Sequence, residues 1–209
     1  MRIKEIKNKL LLKNPNEYPG NAAHMQMTPY KKDLVVKAES PRLSAVMILA
    51  YEKDENTEIL LLKRSDYQGV HSAQVSFPGG KKDDLDSELS YTAFRELQEE
   101  TGILGEKIEL ISALTPMFIP PSNFMVHPFL AITYDLPKIN LDKRESQYHF
   151  GIRVNELLSD EFLLETDIET SYGKMKNVPY FNLNNEIIWG ATAAILNELK
   201  WILKERAEK

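Results

Sequence analysis

The sequence predicts a mixed α/β domain, and three features carry that expectation. Two β-rich runs, Leu43–Tyr51 and Thr57–Leu62, flank the polar Lys53-Asp54-Glu55-Asn56, the pattern of a hairpin. The stretch Glu88–Thr101 contains neither Gly nor Pro and reads as a helix in mid-chain. A second helix, about Trp189–Glu205, sets Ala194, Leu196, Leu199 and Ile202 among lysines and glutamates.

Taken in order, Ile3, Ile6 and Leu10 stand at helical spacing and predict a short amphipathic N-terminal helix. Asn14 to Pro41 mixes Pro, Gly, Asn, Met and Lys without a period, so 1–41 reads as a helical extension followed by an irregular wrap. Residues 42–209 then form the main domain. After the hairpin, Gln74-Val75-Ser76-Phe77 is a short strand leading into Pro78-Gly79-Gly80. Ser87 or Asp86 can cap the mid-chain helix, and Gly102 stands at its stop. Lys107–Ala113 and Met125–Tyr134 read as further strands, separated by a loop around Pro116, Pro120 and Pro121.

The chain has 209 residues, a length that suits one sizeable domain with a short terminal extension. Its formal net charge of −5 argues against bulk attraction to nucleic acid or an anionic membrane. A polyanionic substrate must therefore be held by local basic groups or metal ions. The absence of cysteine removes disulfides, thiolate zinc sites and a cysteine nucleophile. No apolar stretch approaches the roughly 20 residues that cross a bilayer, and Leu10-Leu11-Leu12 is too short for a signal-peptide core. A soluble, cytoplasmic protein with no membrane partner is the expectation.

The chemistry concentrates between Phe77 and Ile103. On a helical wheel with Glu96 at zero, Glu100 falls at about 40° and Glu99 at about −60°, so three carboxylates share one face. Leu97, Phe94 and Tyr91 fall on the other side, where they can anchor the helix to a core. By itself Glu-x-x-Glu-Glu reads as a solvated acidic face. Its neighbours change that reading. Arg95 can pair with an adjacent carboxylate and fix its rotamer, and Gly79-Gly80 lets backbone approach a ligand. Carboxylates packed this tightly repel one another unless a cation sits among them, and hard cations such as Mg²⁺ or Mn²⁺ take oxygen ligands.

Gly80, Asp86 and Arg95-Glu96-Leu97-Gln98-Glu99-Glu100-Thr101-Gly102-Ile103 resemble the Nudix box, Gly-x5-Glu-x7-Arg-Glu-U-x-Glu-Glu-x-Gly-U, with U a bulky aliphatic. Asp86 replaces the first glutamate, and eight residues rather than seven separate it from Arg95. Both departures resemble the coenzyme A pyrophosphatase branch. So do Leu60-Leu61-Leu62-Lys63-Arg64-Ser65, Val70-His71-Ser72, Phe77-Pro78-Gly79-Gly80 and the closing Ile188-Trp189-Gly190-Ala191-Thr192-Ala193. That branch carries an arginine where Gly69 stands and a glycine where Ala73 stands.

The resemblance implies a Nudix-type α/β/α sandwich with a mixed sheet. It also implies divalent-metal-dependent hydrolysis of a nucleoside diphosphate derivative. For the branch, coenzyme A or acyl-coenzyme A would yield 3′,5′-ADP and a phosphopantetheine. Glu96 and Glu100 match the principal Mg²⁺ or Mn²⁺ ligands, Glu99 a further ligand or water-orienting base, and Gly80 a carbonyl donor. Arg95 would orient a glutamate. Arg64, Lys63, Lys81 and His71 are candidates for the substrate's phosphates, with Lys82 beside them; a guanidinium at Arg64 suits bidentate phosphate binding. Glu145 could complete the metal cluster or act as base, or be an exposed salt-bridging residue. Homodimerisation is a family-level expectation. ADP-ribose or dinucleoside polyphosphate hydrolysis, and a non-catalytic nucleotide-sensing module, are the competing functions.

Other motifs point nowhere else. Asp83, Asp84 and Asp86 lack the glycine and terminal glutamate of a calcium-binding EF-hand loop, and Asp86 either pairs with Arg95 or caps the helix. His24, His71, His127 and His149 show no close metal-ligand spacing. Trp189 and Phe94 read as core. Serine-hydrolase, P-loop and dinucleotide-fold signatures are missing.

Overall fold

A computed structural model describes residues 1–28, 40–65, 74–170 and 173–204. The expected hairpin is β1 (Arg42–Lys53) and β2 (Asn56–Arg64), antiparallel with Lys53 opposite Asn56. Asp54 and Glu55 turn the chain with φ of 45° and 64°, the pair of positive values that matches the twist of a two-residue hairpin. The short strands β3 (Val75–Ser76) and β4 (Gly79–Lys81) follow, pairing β2 and β1 respectively. Helix α3 (Leu89–Thr101) ends at Gly102, whose φ of 73° closes the helix in the left-handed region as glycine allows.

β5 (Glu109–Ala113) and β6 (Met117–Ile119) pair successive stretches of β7 (Phe124–Thr133). β7 in turn runs parallel to β1 from Arg42 opposite Phe124 to Tyr51 opposite Thr133. β8 (Ser146–Arg153) completes the eight-stranded mixed sheet on the outer side of β2. The short α4 (Val154–Leu158) leads to a separate antiparallel sheet of β9 (Leu163–Thr170), β10 (Gly173–Leu183) and β11 (Glu186–Ile188), and α5 (Gly190–Lys204) ends the described chain.

β1 is central and buried on both faces, which is why its sequence is an almost unbroken apolar run. Alternate side chains serve two layers. Met47, Leu49 and Tyr51 join Ala93 and Leu97 of α3 on one side. Ile48 and Ala50 join Leu196, Leu199 and Ile202 of α5 on the other. Each fully buried aliphatic contributes about 2 kcal/mol to holding the sandwich together. Among the described residues no helix is long and apolar enough to cross a membrane.

The N-terminal helix forms as α1 (Ile3–Leu11), with Ile3, Ile6 and Leu10 buried in the same core as α5. The irregular wrap expected after it is corrected in part. Gly20–Gln26 is a helix, α2, packed on α5; 29–39 lie outside the described residues. Helix α2 is set by a buried polar knot. Glu198 Oε2 lies 2.8 Å from His24 Nε2, and Glu198 Oε1 accepts from Thr115 Oγ1 at 2.6 Å. Asn197 Nδ2 donates to the Ala23 carbonyl at 2.9 Å. With Glu198 fully buried, Glu198→Ala strands His24 and Thr115 without a partner and lowers unfolding free energy by about 3 kcal/mol, whereas Glu198→Gln loses less. Urea unfolding of the two variants measures the difference.

Candidate active site

The mid-chain helix presents its carboxylates as the wheel requires, but burial divides them. Glu100 is 1% exposed, while the side chains of Glu96 and Glu99 are 14% and 57% exposed. Leu97 is buried on the opposite side as expected, and Ala93 joins it; Tyr91, expected to anchor the helix, is 58% exposed, and Phe94 is half-buried. Trp189, read as core, is half-buried as well.

Arg95 organises the acidic face. Its Nε and Nη2 fork onto Asp86 at 3.1 and 2.9 Å, and its Nη1 donates to Glu96 Oε1 at 2.8 Å and Glu99 Oε2 at 3.0 Å. The Lys81 carbonyl accepts from Nη2 at 3.1 Å. The choice left open for Asp86 thus resolves toward ion pairing. Glu88, not Asp86 or Ser87, occupies the N-cap position, and no side chain caps it. Asp86 is buried, also accepts from Thr92 Oγ1 at 2.9 Å, and is held well below the usual carboxylate range, chiefly by the Arg95 guanidinium. Asp86 Oδ2 also accepts from the Asp83 N–H at 3.0 Å, which holds the acid in place facing Arg95.

Gly79 and Gly80 face this helix from β4. A Cβ on Gly80 would stand 2.5 Å from the Glu96 carboxyl carbon, and one on Gly79 2.5 Å from the Ala45 carbonyl oxygen. Gly80 therefore lets strand and helix meet with the Glu96 carboxylate between them, and Gly79 lets β4 lie close against β1. Behind them, Thr192 Oγ1 at the start of α5 donates to the Val75 carbonyl at 3.0 Å, tying the closing motif to the strand that enters Phe77-Pro78-Gly79-Gly80.

Arg64 leaves β2 on the face shared with Leu60, and its Nη1 lies 3.7 Å from Glu100 Oε1. Lys63 alternates to the other face, where it pairs with Glu186 at 2.9 Å, so the structure does not bring it to the acidic cluster. The Lys81 side chain is exposed at the site's margin. His71, Gly69 and Ala73 lie outside the described residues. Glu145, just before β8, lies near enough to Glu100 to oppose its ionisation. The loop that carries it, Asn140–Glu145, was not read from the sequence; an Asp-x-Arg turn pattern is the only local signal it offers.

Burial pushes the Glu100 carboxyl up to about 8; Arg64 opposes the rise, and Glu145 and Glu96 add to it. Burial also raises Glu96 against the pull of Arg95. Among the described residues, no three His, Asp or Glu side chains already converge on one ion-sized position. The donor set nevertheless fits a hard divalent cation. Buried, mutually repelling carboxylates carry an electrostatic penalty that such an ion relieves, and Arg95 leaves Glu96 Oε2 for it.

A family model described as the NUDIX domain matches residues 41–168. The chain belongs to the Nudix hydrolases. It is 34% identical over 157 residues to a Yersinia enterocolitica protein named as an uncharacterized Nudix hydrolase, NudL, a match covering 75% of this chain and 78% of that one. Nudix hydrolase 15, mitochondrial, of Arabidopsis thaliana is 31% identical over 173 residues; the match takes in 79% of this chain but 60% of the plant protein's length. Among solved structures, a Caenorhabditis elegans Ap4A hydrolase complex aligns with a TM-score of 0.47 at 20% identity, over 56% of this chain and 83% of that one. Nudix hydrolases generally need divalent metal ions, in keeping with the carboxylate set.

Two outcomes test this electrostatic description. In the metal-free Nudix hydrolase, Glu100 is protonated folded and unfolded below about pH 4.5. Between there and about pH 8 the folded state holds a proton that the unfolded state releases, so the stability this group contributes is lost as pH rises. The wild-type melting temperature accordingly falls by ~5 °C more than that of Glu100→Gln between pH 5 and 8.5. Gly80→Ala keeps the fold, because the clash falls on the far end of a flexible side chain, but weakens Mn²⁺ binding about tenfold in calorimetric titration.

Proposed function

We propose that this Nudix hydrolase cuts the diphosphate linkage of coenzyme A or acyl-coenzyme A, giving 3′,5′-ADP and phosphopantetheine or its acyl derivative. The observation that carries this reading is Arg64. It belongs to the Leu60–Ser65 segment that resembles the coenzyme A branch, and it reaches the rim of the acidic cluster beside Glu100. A guanidinium there can take two oxygens of a phosphate while the carboxylates serve the anhydride.

Glu96 and Glu100, with the Gly80 carbonyl and Glu145, would hold Mg²⁺ or Mn²⁺. When bound, the ion offsets the negative charge of carboxylates and diphosphate and acidifies water. Glu99 is the most exposed carboxylate of the helix and suits the role of proton acceptor from the attacking water. Arg95 holds Glu96 and Glu99 together through one nitrogen and so sets the angle between ligand and base. In the balanced step, water oxygen bonds to one phosphorus and its proton passes to a carboxylate. The bridging oxygen departs with the second phosphate. Glu96, Glu99, Glu100 and Arg95 together favour a catalyst over a nucleotide-sensing module.

Glu96→Gln or Glu100→Gln abolishes Mg²⁺-dependent turnover with a circular dichroism spectrum near wild type; full activity in either removes the proposed metal site. Substrate choice is tested by mass-identified products from coenzyme A, dephospho-coenzyme A and ADP-ribose. Arg64→Ala raises the coenzyme A KM about tenfold or more and barely changes that of dephospho-coenzyme A. Equal wild-type turnover of coenzyme A and ADP-ribose would overturn the branch assignment.

A further inference from the structure

The segment between β7 and β8 returns across the end of α3 and is fastened to it by backbone. Asn140 N–H donates to the Thr101 carbonyl at 2.8 Å, and Asp142 N–H to the Glu100 carbonyl at 3.1 Å. These are helix-terminal acceptors with no partner inside the helix. The Asp142 carbonyl then accepts from the N–H groups of both Glu145 and Ser146 at 3.0 Å. Ser65 N–H donates to the Glu145 carbonyl at 2.9 Å, so the backbone of Glu145 is held on both sides. Asp142 is therefore the one residue whose amide grips the helix at Glu100 while its carbonyl grips Glu145.

Its side chain shapes that grip. Asp142 Oδ1 accepts from the Arg144 N–H at 2.9 Å, closing a side-chain turn over the residues between the two anchors. The same carboxylate receives Arg144 Nε at 3.0 Å and Nη2 at 2.5 Å. The Arg144 side chain is 88% exposed, so this ion pair is screened by water and adds little beside the turn.

We propose that Asp142 is a positioning residue that sets the spacing between Glu100 and Glu145. The proposal rests on the reading of Glu145 as a member of the metal-binding set. Asp142 touches neither ion nor substrate in this account; it acts through the backbone of Glu145. Asparagine at this position keeps an oxygen that can accept from the Arg144 amide, and alanine does not. The effect therefore follows the turn rather than the charge.

The test compares full-length wild type, Asp142→Ala, Asp142→Asn, Glu145→Gln and the double variant Asp142→Ala/Glu145→Gln. Three measurements are made: Mn²⁺ binding by calorimetry, amide hydrogen exchange without metal, and kcat and KM with coenzyme A. Asp142→Ala is expected to speed exchange at Arg144 and Glu145, weaken Mn²⁺ binding about tenfold and lower kcat with KM little changed. Asp142→Asn stays within twofold of wild type, and Asp142→Ala adds less than twofold to the Mn²⁺ defect of Glu145→Gln.

Wild-type Mn²⁺ affinity in Asp142→Ala, with Glu145→Gln impaired, overturns the positioning role alone. An Asp142→Ala defect that persists undiminished in the Glu145→Gln background does the same. A Glu145→Gln variant that binds Mn²⁺ like wild type overturns it together with the assignment of Glu145. Exchange and Mn²⁺ binding require no turnover, so an enzyme inactive on coenzyme A would remove the substrate reading while these arms still decide the positioning role.

Discussion

Everything at the acidic face depends on one guanidinium meeting several carboxylates in a partly dry place. Arg95 donates to Asp86, Glu96, Glu99 and a backbone carbonyl, and with those partners its planar fork admits very few orientations. Without it, the negative groups of α3 would spread to reduce their repulsion. With it, Glu96 is held beside Gly80 and Glu100 is left deeper in the fold, its charge uncomfortable enough that a proton or a cation is welcome.

The two layers of the sandwich share this task unequally. The α3 side holds the smaller apolar cluster and presents the acidic face. The α5 side carries the larger apolar cluster, with α1 and α2 adding to it. β1 belongs to both, and β4 pairs it at Ser44–Val46, where the glycines approach the helix. A disturbance at α5 can thus reach the glycines through Thr192 and Val75 without touching a carboxylate.

What the sequence reveals follows burial. β1 and β2 were legible as continuous apolar, β-rich runs broken by a polar turn, α3 as a stretch without Gly or Pro, and α5 by apolar positions at helical spacing. The sheet of β9, β10 and β11 was not. In β9 the half-buried Thr166, Ile168 and Thr170 alternate with the exposed Glu165, Asp167 and Glu169. None of the strand is fully buried, and two of the three inward residues are threonines, so the alternation carries little hydrophobic signal. Helix α2 hides for another reason: Gly20-Asn21-Ala22-Ala23-His24-Met25-Gln26 is short and is organised by Glu198, which lies 174 residues from His24. At the site, residue types and spacing disclosed Arg95 and the three glutamates. The separate fates of Lys63 and Arg64 follow from strand alternation once β2 is known. The work of Asn140 and Asp142 at the end of α3 is done by main-chain amides, which every residue but proline possesses, and so leaves almost no trace in the letters.

The Asp86–Arg95 pair also bears on how such chains can diverge. An aspartate reaches one methylene less far than a glutamate, and here the intervening stretch is one residue longer. Acid length and spacer length are therefore two halves of a single geometric solution. Changing the acid or the spacer alone in this chain would move the carboxylate away from the fork that Nε and Nη2 of Arg95 present to it, so neither can vary freely without the other.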